Sequence, residues 1–221
     1  MKYKKIDTKL FIKNRKNFVN KLERKSIAFF NSNDIYPISA DSTLPFDQHR
    51  DIFYLSGIDQ EESLLVLFPD SKDIEYKEML FLRETNEYIT HWEGEKLTKE
   101  QAKNISGINN IFWLGEFEDI VKEVLSQADF VYINTNEHYR QNVQTQTRED
   151  RFINRLKNIN GLKFKKSNPI LQKQRSVKDQ IEIELIKNAC EITKKGFERV
   201  LTLLNLVFGS MKLKLNFLTN F

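Results

Sequence analysis

Cysteine is nearly absent from this chain. Its one example, Cys190, cannot form an intramolecular disulfide or a Cys-based zinc cluster. Glycine and proline are scarce, at 7 and 4 of 221 residues, which excludes collagen-like and low-complexity classes. No run of about 20 uncharged apolar residues occurs, so neither a spanning helix nor a membrane partner is expected. The start, MKYKKIDTKL, is positively charged but has no apolar core of signal-peptide length. A reducing, cytoplasmic location is the expectation. Histidine is limited to His49, His91 and His138. No phosphate-cradling glycine loop, nucleophile elbow, His-Glu-x-x-His or Cys-x-x-Cys motif is present. A strong excess of one charge is missing too, with 35 Lys plus Arg against 31 Asp plus Glu. Most of the difference lies in Arg199, Lys212 and Lys214, which come after the last acid, Glu198. The short run Lys163, Lys165, Lys166 reads as a solvated strand end, so no nucleic-acid partner is expected.

What is there belongs to a globular protein, 40% hydrophobic and 30% charged. Residues 8–23 place Leu10, Phe11, Phe18 and Leu22 at helical spacing among lysines, an amphipathic surface helix. Short apolar runs predict strands at 26–30, 52–55, 63–68, 79–82, 130–133 and 162–164, with Gly57 joining the second to the third. Helices are expected from Thr98, over 116–127 with Phe117, Ile120, Val121 and Leu125 inward, and over 147–158. Strands alternating with helices predict an α/β domain with a mixed sheet over residues 1–167. Pro169 interrupts this pattern, placing a boundary near 167–175. A long helix comes next, with Ser176 as its cap, Asp179 in its first turn, and Ile181, Leu185, Ala189, Ile192 and Phe197 on one face. Trp92 beside Gly94 puts a large amphipathic ring on a turn, suited to an interface or a pocket rim. His49 and Arg50 fall on a loop, where rim residues tend to lie.

Three segments, in order, carry a resemblance. Residues 45–67, PFDQHRDIFYLSGIDQEESLLVL, are similar to an F-x-Q-x-x-x-x-(F/Y)-Y-L-(T/S)-G pattern, filled by Phe46, Gln48, Phe53, Tyr54, Leu55 and Gly57. Residues 80–102 supply a strand, an acidic-polar turn and Trp92-Glu93-Gly94 ahead of a short helix. Residues 171–201 resemble a linker helix. Together they resemble the N-terminal domain of Xaa-Pro aminopeptidases (aminopeptidase P, of the creatinase/prolidase type) and the helix that opens the family's catalytic domain. The resemblance implies a ribonuclease H-like mixed-sheet domain over 1–167. It implies that 168–201 is the linker and opening helix of a pita-bread catalytic domain. It also implies a homo-oligomer in which this domain overhangs a neighbour's active site, with Trp92, His49 and Arg50 as rim candidates. Leu185, Ile192 and Phe197 would then face the partner domain. Proline-containing peptides would be met only by the full-length enzyme. There a manganese pair is held by two Asp, one His and two Glu beyond the opening helix. No catalytic residue and no metal ligand is assigned to the present chain, which is expected to be inactive alone. The alternative is a stand-alone binding or assembly module.

Residues 202–221, TLLNLVFGSMKLKLNFLTNF, lose every acid and read as a frameshifted tail. With suitable synonymous codons, reading from the third base of codon 202 gives FVKPGIWEYEIEAEF, similar to the segment after the linker helix in these enzymes. Two outcomes are forced by the genetic code. Met211-Lys212 must yield Glu, and Phe208-Gly209 can yield only Trp or Arg.

Overall fold

The computed structural model describes residues 5–135, 145–157, 159 and 161–203. Its elements run α1 (Thr8–Val19), β1 (Ser26–Asn31), β2 (Pro37–Ser39), β3 (Ser42–Thr43), α2 (Arg50–Ser56), β4 (Leu64–Leu67), β5 (Glu78–Leu82), α3 (Glu87–Glu93) and α4 (Lys99–Ser106). Next come β6 (Asn110–Trp113), α5 (Phe117–Leu125), β7 (Phe130–Ile133), α6 (Arg148–Lys157), β8 (Lys163–Lys166), α7 (Asn168–Ser176) and α8 (Gln180–Leu203). The tail reading falls outside the described residues, except for Thr202 and Leu203.

Six strands form one mixed sheet in the order β6-β5-β4-β1-β7-β8. β1, β7 and β8 are mutually parallel, β5 and β6 are parallel, and β4 runs antiparallel to both β1 and β5. Side chains alternate faces along each strand. Ile27, Phe29, Val66, Phe81 and Val131 meet α5 and α6 on one side. Ala28, Phe30, Leu65, Leu80 and Tyr132 meet α1, α2, α4 and α7 on the other. Both faces of the sheet are thus covered, which is why every residue of β1 is buried and why the central strands read as unbroken apolar runs. Outside the sheet, β2 and β3 pair as a small exposed hairpin. At the β8 edge, Lys163 and Lys165 lie over the Phe130 ring and Lys165 also pairs with Glu23, so charge blunts that edge.

Residues 52–55, expected as a strand, lie instead in α2. The side chain of His49 accepts from Asp51 N–H at the helix start, and Gly57 closes the end in a left-handed turn. One helical turn brings Ile52, Leu55 and Ser56 inward, which an extended strand could not do. Arg15 of α1 is wholly buried and ties this layer together. It donates to the carbonyls of Leu55 and Ser106 at 2.9 Å each, at the ends of α2 and α4, and to Glu78 at 3.1 Å. The carbonyl ends of two helices favour a cation there.

The chain divides into two units, residues 1–176 and 177–221. The division falls just past the 167–175 window expected from the sequence, and α7 packs back on the first unit, burying Leu171 in the cluster of Phe18 and Ile52. In the second unit, α8 is capped by Asp179, not Ser176. Asp179 accepts from Ile181 N–H at 3.0 Å, and Glu182 accepts from Asp179 N–H at 2.8 Å. Ser176 ends α7, its hydroxyl donating to Lys173 O. Among the described residues, no helix is long and apolar enough to cross a membrane.

Candidate functional site

The carboxyl ends of β1, β7 and β8 lie side by side, and α2, α6 and α7 begin beside them. In open α/β sheets this edge is where ligands are commonly held. A chain of polar contacts crosses it. Arg175 of α7 donates to Asp51 of α2 at 2.6 Å, and Asn134 donates its side-chain amide to the other Asp51 oxygen at 3.0 Å. The backbone N–H of Asn134 donates to Glu149 of α6 at 3.3 Å. Asn31 gives Glu149 both its backbone N–H, at 3.3 Å, and its side-chain amide, at 2.6 Å. Five elements are therefore joined through one line of side chains.

His49 belongs to this edge. Its Nδ1 accepts from Asp51 N–H at 3.3 Å, capping α2. Burial, with a smaller push from the nearby Arg175 and Arg50 charges, holds its ring below the usual imidazole value, against the pull of Asp51. A neutral ring is what a nitrogen acting as acceptor requires. Arg50, one residue on, points away into an exposed pair with Asp47 at 2.8 Å. Pairs of that kind contribute little. Of the rim candidates, His49 and Arg50 are thus turned to different partners. His138 lies outside the described residues.

Trp92 sits elsewhere, on the last turn of α3 rather than on a free turn. Asn86 caps this helix through Ile89 N–H at 2.9 Å, and Arg83 grips Glu93 with two bonds of 2.6 and 2.8 Å. α3 buries no residue. It presents Tyr88 and Trp92, one turn apart, at 73% and 69% exposure, with ring centroids 6.5 Å apart. His91 meets the Trp92 ring edge-on at 4.9 Å. A core role for Trp92 is excluded, and Tyr88 is exposed beside it.

The motif residue Gln48 is structural. Its buried amide donates to Ile58 O at 3.1 Å and Gln60 O at 2.9 Å, and its oxygen accepts from His49 N–H at 2.8 Å. An open cleft of about 590 Å³ lies nearby, lined by Phe11, Gly57, Gln60, Glu61 and Lys96. Lys96 and Glu61 close its wall as a mostly buried pair at 2.5 Å. Among the described residues, no group of three or more His, Cys, Asp or Glu is gathered so as to hold a metal ion.

Within the second unit, Leu185 is half-buried, while Ile192 and Phe197 are exposed at 44% and 57%. At 3.6 residues per turn, Ile181, Leu185, Ala189 and Ile192 share a stripe. Phe197 falls outside it, on the stripe of Ile186 and Leu201.

Sequence reasoning missed Asn31, Asp51, Asn134, Glu149 and Arg175. Each looks ordinary locally: Asp51 and Glu149 are acids in a first helical turn, Asn31 and Asn134 are amides at strand ends, and Arg175 is a base in a last helical turn. Tyr88 was legible in principle, since Asn86 with Tyr88 and Trp92 at helical spacing behind it marks a capped helix.

The fold and its polar edge define a mixed α/β domain with helices on both faces of the sheet. Residues 11–132 match the family model described as aminopeptidase P, N-terminal domain. The chain belongs to that family. It is 26% identical to an Xaa-Pro aminopeptidase of Haemophilus influenzae, over 71% of this chain and 34% of the relative. With the Xaa-Pro aminopeptidase of Escherichia coli the identity is 24%, over 86% and 44%. The solved structure of Escherichia coli aminopeptidase P in its low-pH form superposes with a TM-score of 0.82 at 22% identity, over 98% of this chain and 50% of that one. The chain therefore spans about a third to a half of the length of these relatives.

Proposed function

We propose that this chain is the N-terminal, active-site-rimming part of an Xaa-Pro aminopeptidase, a cytoplasmic hydrolase that releases the residue preceding proline. The match over residues 11–132 supports the reading. The domain is then ribonuclease H-like, and α8 opens a pita-bread catalytic domain. Bond cleavage belongs to that other half, where the family's manganese pair would activate water. The present chain contributes assembly and peptide positioning, and does not cleave by itself.

One observation carries the assembly role. α3 contributes nothing to its own core, yet two bonds from Arg83 and an Asn86 cap hold it in shape. A helix that exposes two neighbouring aromatics while burying none is arranged to be covered by something else. We assign that cover to a second subunit of a homo-oligomer, with Trp92 and Tyr88 as its anchors.

Two measurements test this. The purified full chain, supplied with manganese, should release no amino acid from an Xaa-Pro peptide. Chelator-sensitive release that persists to homogeneity overturns the division of labour. In sedimentation velocity, the chain should associate with increasing concentration, and Tyr88→Ser with Trp92→Ser should weaken association at least about tenfold, as expected for a clustered aromatic hot spot. An unchanged sedimentation profile in the double variant refutes the assembly role of α3.

A further inference from the structure

Asp51 and Glu149 are the two acids of the polar edge, and they are held differently. Asp51 is paired with a cation, Arg175, whereas the hydrogen bonds to Glu149 come from amides. Its carboxylate takes three N–H donors, from Asn31 N, Asn31 Nδ2 and Asn134 N. All three belong to strand ends, so this side chain fastens the first turn of α6 onto β1 and β7. Among the described residues, Asn134 also carries a buried side-chain oxygen, Oδ1, that has no hydrogen-bond partner. An ionised carboxylate has no proton to offer that oxygen, whereas a neutral carboxyl has one. An acceptor left over on a residue already touching Glu149 is what a protonated glutamic acid would satisfy.

We propose that Glu149 is a proton-operated clasp: neutral, it shuts the start of α6 against the ends of β1 and β7, and on losing its proton it loosens that edge. The surroundings favour the neutral form. Burial pushes the Glu149 carboxyl up to about 7, outweighing the bonds from Asn31 and Asn134, with a further small push from Asp150. On α6 itself, Arg148 lies close to Glu62 and Asp34, which offset its charge. From α2, Asp51 reaches the same Asn134 and adds negative charge, while its own cation, Arg175 of α7, is paired to it. His49 at the start of α2 is held toward its neutral form. Among the described residues, the ends of β1 and β7 present the amides Asn31 and Asn134 at this point.

The direction comes from linkage. A carboxyl raised in the folded protein keeps a proton that the opened state gives up. The clasp is therefore firm near pH 5, weakens as pH rises toward 7, and changes little above that. Each pH unit in this window multiplies the opening equilibrium by up to about ten. From pH 5 to pH 8 the total is on the order of a hundredfold.

Amide hydrogen exchange of the full chain, corrected for intrinsic exchange rates, reads this directly. Opening at Asn31, Asn134 and the first turn of α6 should rise about a hundredfold between pH 5 and pH 8, and Glu149→Gln should flatten that rise. Glu118→Gln, on the exposed face of α5, should leave it intact. A pH dependence retained in Glu149→Gln overturns the clasp. Should that variant fail to fold, carbon-detected titration of the wild-type carboxyls decides the matter. A Glu149 midpoint near 7 supports the clasp, and one below 5 refutes it.

Discussion

Replacing Gly57 with alanine tests the packing of α1 against α2, the helix of the motif segment. Gly57 ends α2 at φ 72°, ψ 5°, and its N–H returns to Phe53 O at 2.7 Å. A Cβ at this position would lie 2.4 Å from Cε2 and 2.5 Å from Cζ of Phe11. Phe11 is buried, with its ring edge-on to Phe53 at 6.3 Å, so it has little room to retreat. Left-handed backbone costs a non-glycine residue about 1–2 kcal/mol. Overpacking against a fixed ring adds about 1–3 kcal/mol. Together these give roughly 2–5 kcal/mol, or a fall of about 5–20 °C in Tm for a domain of this size. Gly161→Ala is the internal control. Gly161 also has a positive φ, 91°, but a Cβ there meets nothing within 4 Å. Only backbone strain remains, and the expected fall is about 2–8 °C. Thermal and urea unfolding monitored by circular dichroism would measure all three proteins. Trimming the ring with Phe11→Leu in the Gly57→Ala background should recover part of the loss, giving a non-additive cycle. Equal losses at Gly57 and Gly161, or strict additivity with Phe11→Leu, would refute the steric argument.

Two further outcomes concern the same layer. Arg15→Met should lower stability by about 2–4 kcal/mol in urea unfolding, because it leaves two buried helix-end carbonyls without a donor, whereas Glu78, with 38% of its side chain exposed, is rehydrated; an exposed change such as Arg50→Met should move it by less than about 0.5 kcal/mol. Shortening a 1–176 chain to 1–167 should lower Tm by about 5–15 °C. It removes buried Leu171 (roughly 2–3 kcal/mol by its burial) and the bonds of Gln174 to Asn14 O and of Arg175 to Asp51.

The central sheet was legible because its strands are covered on both faces. SIAFFN, LLVL, EMLFL and FVYI are apolar at nearly every position, and that signal needs no knowledge of neighbours. The same rule misled at 52–55, where four apolar residues resemble a short buried strand. What decides for helix there is the pair of punctuation marks at its ends, the His49 side chain and Gly57. Elements that bury nothing left no pattern to read. The β2–β3 hairpin and α3 are exposed throughout or nearly so, and neither was expected. Within the site, residue types such as Trp92 and His49 could be singled out in isolation. The polar edge could not, since Asn31 and Glu149 are 118 residues apart and Asp51 and Arg175 are 124 apart. Such partners come together only after the sheet order is set.

The residues that carry the resemblance are of two kinds: Gln48 and Gly57 answer to the architecture, and Trp92 lies on the surface. Between Phe46 and Gly57, Gln48 staples a loop from beneath and Gly57 makes room for Phe11. Both positions answer to the geometry of the domain, so a likeness there transmits architecture. Trp92 and Tyr88 answer to nothing inside the domain. Their rings could be lost with little effect on the core, because α3 stands on its cap and on Arg83. A side chain that its own fold does not need, and that leaves a large apolar ring in water, is best explained by a surface that covers it. Glu149 occupies the middle ground. It is needed for the edge to close, yet its carboxyl sits at about 7, where closure responds to an ordinary change of pH. Variants of Gln48 or Gly57 should thus be read out in stability, variants of Trp92 in association, and only Glu149 in the pH dependence of the edge.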